Sequence, residues 1–573
     1  MTTSAATPAT LPELRAAVRV DPDNAGALDA LGAALTERGE YQRALVFLRG
    51  ASKRSPRNAE YLHHLASALL GCGKEEEAVW WLERAVQLDP VRLESWQLLG
   101  ATYLDRLSRP EDAFRAYRHA LQLAPHDILI YQSAARCRLN GRDPQAAIAR
   151  MCELLPSADA LQIRRGTGRA LIETGRYEEA VAMFHDILVE FSNDAESLRA
   201  LAQLSTGMHD MQAASQYFER ALSADGNDRE ILSAYLMHWT RLGDMERARH
   251  FYHTRRICEL PLNVFGAHPG ARYWEGQDIR GKTLRLFSGD LYFGDAFQFV
   301  RFAQVAKQAG AKVIVLGPKP IRTLLRTVPG VDLVVARHDP APPFEYYSAF
   351  FWLLFALQVP VEEMMGRAPY LHAAPDLRMD WRNRIRRKPG FNIGIVWHGS
   401  AYHRWNRYAC RSMPLEQLRP LAAIPGVTLY SLQCGPGRTE LTMADPPFPA
   451  IDLAPDFPNT AALIEELDLV VTIDTSIAHL AGALGKLTYV MLPYEACFRW
   501  MLDRDDTPWY ENMRLFRQTE PGHWPDVVAG VGEAVRRLAL EKLSDDGHEL
   551  AGQRPDDGSL TVPSRERQAK GSL

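Results

Sequence analysis

An alanine returns about every 34 residues through the first half of this 573-residue chain, and no other feature limits the fold so tightly. Ala44, Ala78, Ala113, Ala147, Ala180, Ala214 and Ala248 are separated by 34, 35, 34, 33, 34 and 34 residues. Self-similarity at that period describes one supersecondary unit stacked on copies of itself. Other positions keep the same ruler: Leu28, Leu31, Gly32, Ala51 and Pro56 recur as Leu62, Leu65, Ala66, Ala85 and Pro90. Small residues are needed where two antiparallel helices cross closely, large ones where each pair packs on the next, and proline where the second helix must stop. The third unit carries the fullest set, with Trp96, Leu99, Gly100, Tyr103, Tyr117, Ala120 and Pro125. The fourth, around Asn140 to Pro156, departs most, and the later units regain an aromatic at Phe184, Phe218 and Tyr252.

This period is that of the tetratricopeptide repeat. It predicts an all-α solenoid of seven helix pairs over residues 10–256, which resemblance to this repeat family implies is wound as a right-handed superhelix. A solenoid presents a long concave surface that suits an extended peptide or another protein. The plainer alternative is that the array supports the rest of the chain or its self-association.

After Pro261 the rhythm stops and strand-length apolar runs alternate with helical ones, the pattern of α/β architecture. Strands are expected at Thr283 to Phe287, Lys312 to Leu316 and Val331 to Ala336, with helices at Ala296 to Ala309 and Pro320 to Val328. Phe344 to Leu357 covers a strand and part of a helix. A basic connector, Trp381 to Lys388, precedes a second series: strands Asn392 to Trp397 and Val427 to Leu432, helices Pro414 to Ala423 and Asn459 to Leu467. The reading is two Rossmann-like lobes, 265–380 and 390–540, followed by a disordered tail, 544–573, rich in Asp, Gly, Ser and Arg.

The most chemically suggestive stretch runs from Asp468 to Gly485. Leu469 to Ile473 is a buried parallel strand by composition, Thr488 to Leu492 is another, and a short helix built on Ala478, Ala481, Gly482 and Ala483 lies between them. Asp474, Thr475 and Ser476 stand at the start of that helix, where unpaired N–H groups attract an anion. All three are also ordinary capping types. His479 follows Ser476 by three residues and so shares its end of the helix. Two lobes joined by a hinge enclose a cleft, and three loops are expected to face it: Gly294-Asp295, His398 to Arg407 with Arg411-Ser412, and Asp474 to His479.

Composition narrows the alternatives. A net charge of −4, with no long basic run, argues against nucleic acid as a main partner. Seven scattered cysteines without a Cys-x-x-Cys pair read as reduced thiols of a cytoplasmic protein. The chain shows no signal-peptide pattern at Met1 to Leu14 and no apolar run long enough for a membrane span. Neither a Gly-x-Ser-x-Gly elbow nor a Gly-Lys-Ser/Thr phosphate loop is present. Asp503-Arg-Asp-Asp506 offers neighbouring carboxylates for a metal, or with Trp509-Tyr510 a lobe-closing surface.

The repeat array, the Gly294-Asp295 loop, Trp397-x-Gly399 with Arg411-Ser412, the Asp474-to-Gly485 motif and the run from Arg499 to Gln518 together resemble bacterial repeat-containing glycosyltransferases of the heptosyltransferase-like family 9. The resemblance spans roughly residues 10–540. It implies a GT-B fold and an inverting mechanism without a bound metal, with no cofactor. A nucleotide-sugar donor would be held mainly by the second lobe. The domain order is also similar to O-linked N-acetylglucosamine transferases, whose repeats guide protein acceptors. Asp295 matches the family's Gly-Asp pair and would take the acceptor proton, with Asp290 as an alternative base and helix capping as its plainer role. Asp474, Thr475, Ser476 and His479, with Arg404, Arg407 and Arg411 across the cleft, would hold the diphosphate. Trp397 to Ser400, Gly399 included, and Gln433 to Pro436 would line the nucleotide pocket. Family members usually carry Glu-Gln-Gly-Leu-Gly-Asp where this chain has Asp290 to Asp295, with Tyr292 at the first flexible glycine. That departure leaves a second class open, a non-catalytic repeat scaffold.

Overall fold

The structure, a computed structural model, describes residues 11–139, 143–155, 159–255, 270–287, 293–336, 339, 342–357, 368–385, 390–399, 411–443 and 456–552. From Leu11 to Arg255 it is helical throughout, with seven antiparallel pairs preceded by one further helix, Leu11–Val20, that the period does not register. The seven recurring alanines are all buried at the crossings. The need for small residues there is steric. A Cβ on Gly168 would sit 2.6 Å from the Phe184 ring across its pair. The one interval of 35 residues has a local cause. Helix Leu93–Ala101 passes into a wide turn, Thr102–Arg106, with π-type bonding, which takes up one extra residue without rotating the rest of the pair.

Between the two helices of most pairs the chain adopts a left-handed residue, glycine at 39, 73, 175 and 243. Ser108 and His209 hold the same position with φ of 53° and 61°. A side chain that accepts this conformation costs stability, so its contacts are informative. His209 stacks on Tyr494 at 4.4 Å and donates to the Tyr494 carbonyl (3.1 Å), tying the sixth pair to the α/β half.

Among the described residues that half contains two five-stranded, all-parallel sheets. The first comprises β1 (Arg272–Tyr273), β2 (Thr283–Phe287), β3 (Lys312–Leu316), β4 (Leu333–Val335) and β5 (Tyr346–Ala349), in the order β1-β5-β2-β3-β4. The second comprises β6 (Phe391–Val396), β7 (Val427–Ser431), β8 (Leu469–Ile473), β9 (Thr488–Leu492) and β10 (Met513–Arg517), in the order β7-β6-β8-β9-β10. Strands β6, β8 and β9 are buried along their whole length, as parallel strands covered on both faces must be. The strand order reverses between β2 and β5 in one sheet and between β6 and β8 in the other. Such switch points open a crevice at the carboxyl ends of the strands.

Several expected boundaries move. The helix anticipated at Ala296 to Ala309 is two, Phe293–Phe299 and Phe302–Gln308, because Arg301 turns inward between them. Arg301 Nη1 donates to the Trp509 carbonyl (3.1 Å) and Nη2 to the Tyr370 hydroxyl (2.8 Å). The first lobe was expected to end at 380. Helix Pro375–Ile385 crosses that point and docks on the second lobe through Arg378 and Arg382 on Glu466, which bury their carboxylate partner. The last helix, Pro525–Gly552, runs past the tail boundary set at Ser544, and residues from 553 onward lie outside the described ones. The array and the α/β half are not separate bodies joined by a linker. Leu236, Met245, Ala248 and Tyr252 of the last pair belong to the same apolar core as both sheets, and Arg249 Nε donates to the Leu354 carbonyl (3.2 Å).

Candidate functional site

Both switch points open onto one cavity of about 930 Å³. The second sheet supplies one wall. Chain leaving β8 passes through Asp474 and Thr475 into helix Ser476–Ala483. The Thr475 side chain accepts from the Ile477 amide (3.2 Å), so it caps the helix, and Ser476 opens it. Arg411 reaches across from the loop after β6, and its Nη1 donates to the Asp474 carbonyl (2.9 Å). Gly399 makes room for that crossing, since a Cβ there would lie 3.1 Å from Arg411 Nε, and its amide donates to Ser412 Oγ (3.0 Å). Gln433 staples the neighbouring turns: its Oε1 accepts from the amides of Trp397 and His398, and its Nε2 donates to the carbonyls of His398 and Cys434. Arg404 and Arg407, with Ser400, fall outside the described residues.

The first sheet contributes helix Phe293–Phe299. Its Gly294 packs on the second lobe, where a Cβ would meet the His479 ring at 3.0 Å and Ser476 Cα at 3.7 Å. Asp295 lies in the first turn of that helix and is ion-paired with Arg499. Arg499 Nε also donates to Gln298 Oε1 (2.9 Å), and its Nη1 lies 2.9 Å from Cys497 Sγ. Burial works against this guanidinium's charge, but Asp295, Cys497 and Asp474 outweigh it and hold the group above the usual arginine range. Arg411 is pushed the other way by burial, only partly offset by Asp474. The alternative base Asp290 lies outside the described residues.

His479 lines the cavity but carries no charge there. Burial first, then Arg499, Arg301 and Arg411, drive its imidazole well below the ordinary histidine value. It stacks on Trp500 (5.2 Å between centroids) and shares a hydrogen bond with the Tyr510 hydroxyl (3.2 Å). Its place at the helix start is as expected, yet it offers hydrogen bonding and packing, not a cation.

Sequence reasoning missed two groups. The run from Arg499 to Tyr510 was noticed only as a pattern, whereas three of its residues, Arg499, Trp500 and Tyr510, hold Asp295 and His479. The third wall of the cavity comes from the repeats: Gln203 and Thr206 of helix Ala195–Gly207, and Met237, His238 and Arg241 of helix Arg229–Arg241. A signal for the latter was available in His209, a bulky residue where the period calls for glycine. Asp503 to Asp506 is not a metal cluster: Arg504 pairs with Asp506 at 2.6 Å, and among the described residues no three His, Cys, Asp or Glu side chains are grouped to hold an ion. No described helix is long and apolar enough to cross a membrane.

Residues 59–92 match the family model of the tetratricopeptide repeat. That stretch is one pair of the helical solenoid, Ala59–Gly71 with Glu75–Leu88. Stacked repeats of this kind present a concave surface suited to a protein partner. The chain is 24% identical over 477 residues to Protein FlbA of Caulobacter vibrioides, which covers 76% of this chain and 77% of that protein. Similar solved structures include MamA, 22% identical over 28% of this chain and 84% of that one, with a TM-score of 0.23. YrrB, described as a tetratricopeptide-repeat protein with an unusual peptide-binding site, is 15% identical over 39% of this chain and 99% of that one, at 0.23. A repeat protein from Parabacteroides merdae is 19% identical over 39% and 89%, at 0.25.

Proposed function

We propose that this protein is a cytoplasmic, inverting glycosyltransferase of GT-B type that needs no metal and moves a sugar from a nucleotide-sugar to a protein acceptor bound by the repeats. The observation that carries this reading is the convergence of two switch points on one cavity. A carboxylate, Asp295, stands on one side, and a helix start with a buried arginine, Thr475-Ser476 and Arg411, on the other. Those are the two functions that inverting transfer requires. A base removes the acceptor hydroxyl proton, and N–H groups and cations stabilise the leaving diphosphate. Gly399 and Gln433 shape the neighbouring turns into a wall for the nucleotide, and neutral His479 offers a hydrogen bond. The test is a panel of nucleotide-sugars. At least one is expected to raise the melting temperature and to be turned over, and a panel without effect sinks the enzyme reading.

The ion pair between Asp295 and Arg499 favours a second reading, a repeat scaffold whose α/β half binds without turnover, because the carboxylate is already occupied by a guanidinium. Asp295→Asn separates the two. As a base, Asp295 is worth a roughly 10³-fold fall in transfer with donor binding retained. In the scaffold reading donors bind but neither protein turns them over.

A further inference from the structure

Among the described residues lining the cavity the arginines are Arg241, Arg411 and Arg499, and there is no lysine. Arg241 faces Glu495 (3.8 Å) on the repeat wall. Arg411 has one nitrogen committed to the Asp474 carbonyl. His479 is neutral. Arg499 brings positive charge beside Thr475-Ser476, and its counter-ion is Asp295 itself. It projects from the second lobe, after β9, and grips helix Phe293–Phe299 of the first lobe at two positions one turn apart, Asp295 and Gln298.

Building on the transferase reading above, we propose that Arg499 is a shared cation for which Asp295 and the donor diphosphate compete, so that binding a donor uncovers the base. The competition orders the reaction. With Arg499 on Asp295, the carboxylate is occupied by the ion pair. With Arg499 on the diphosphate, the carboxylate is free to receive the acceptor hydroxyl and the leaving group gains a charge-assisted partner. In the transfer the acceptor O–H bond and the sugar C1–O bond to the diphosphate break, and the acceptor oxygen bonds to C1. The proton passes to Asp295, and the C1–O electron pair leaves on the diphosphate. Arg499 therefore acts on both sides of the reaction. The same device gives the two lobes a reason to communicate, because the pair that is exchanged spans them.

The inference is tested on the full-length protein with inorganic pyrophosphate, a diphosphate without base or sugar, by titration calorimetry. Asp295→Asn releases Arg499 and is expected to tighten pyrophosphate binding roughly tenfold. Arg499→Gln weakens binding by a similar factor, and Asp295→Asn adds nothing on that background. Unchanged affinity in Asp295→Asn, or equal tightening with and without Arg499, overturns the shared-cation idea and leaves the donor site standing. Failure of pyrophosphate and of every nucleotide-sugar to bind the unmodified protein instead overturns the donor site itself. If Arg499→Gln does not fold, a structure of the unmodified protein with pyrophosphate decides: Arg499 is expected on the anion and parted from Asp295, and a retained pair refutes the proposal.

Discussion

The repeat array and the α/β half solve the same packing problem with opposite strategies. In the array each helix pair meets its sequence neighbours, and one small residue per crossing sets the distance. In the α/β half the decisive contacts join residues far apart, such as Arg499 with Asp295, 204 positions away. The first strategy leaves a periodic trace that can be read by counting. The second leaves none, and it builds most of the cavity. A one-dimensional stack also tolerates loss at its free end, whereas the end fused to the sheets shares their core.

The sharpest way to break this contrast is deletion. Removing the last pair, Arg229–Arg255, takes Leu236 and Tyr252 out of the common core and is expected to abolish soluble, folded protein. Removing the first helix and first pair, up to Arg54, leaves a cooperative transition within a few degrees of the original, followed by calorimetry. Equal sensitivity at both ends would contradict the stacked picture. Next in size is Gly168→Val, which forces a side chain into Phe184 and costs about 3 kcal/mol in urea unfolding. It leaves any donor-induced thermal shift unchanged.

Acid provides a third probe. Burial holds His238 and His63 at about 4, against 6.5 for an ordinary histidine. Above pH 6.5 both states are neutral and nothing changes. As pH falls from 6.5 towards 4 the unfolded chain takes up protons that the folded one refuses, so stability drops by up to about 3 kcal/mol per histidine and then levels off. His238→Gln should remove part of that slope in melting curves taken across this window. The smallest effect expected is from His209→Gly. Loss of the stack and hydrogen bond to Tyr494 is offset by relief of a positive φ, for a net change within about 1 kcal/mol. Hydrogen exchange across Tyr494 to Arg499 should nonetheless accelerate, and an unchanged rate would mean the tether is idle.

What could be read from sequence follows the same division. The alanine ruler anticipated all seven pairs, and composition located β2, β3, β6, β8 and β9, since a strand buried on both faces must be apolar along its length. It missed β10, whose Arg514 and Arg517 disguise an edge strand, and β1, which is two residues long. Around the cavity, the positions of Asp474 to His479 and Asp295 at strand ends were legible because capping types there have a local logic. Their partners were not. Nothing near Arg499 says that it reaches Asp295, and nothing near His479 says that Trp500 and Tyr510 enclose it. Charge state was equally hidden, because it depends on burial and on three arginines from distant segments.

The wide turn at Thr102–Arg106 has a consequence for how the solenoid keeps its phase. An extra residue in an ordinary α-helix turns everything beyond it by about 100°, which would carry the inward face of the later helices to the outside. Confined to a single enlarged turn, the same residue costs only local geometry, and the five pairs from Leu93 onward stay in step with the two before them. The third pair is thus the array's expansion joint, the point at which a change in chain length can be absorbed before it propagates to the wall of the cavity.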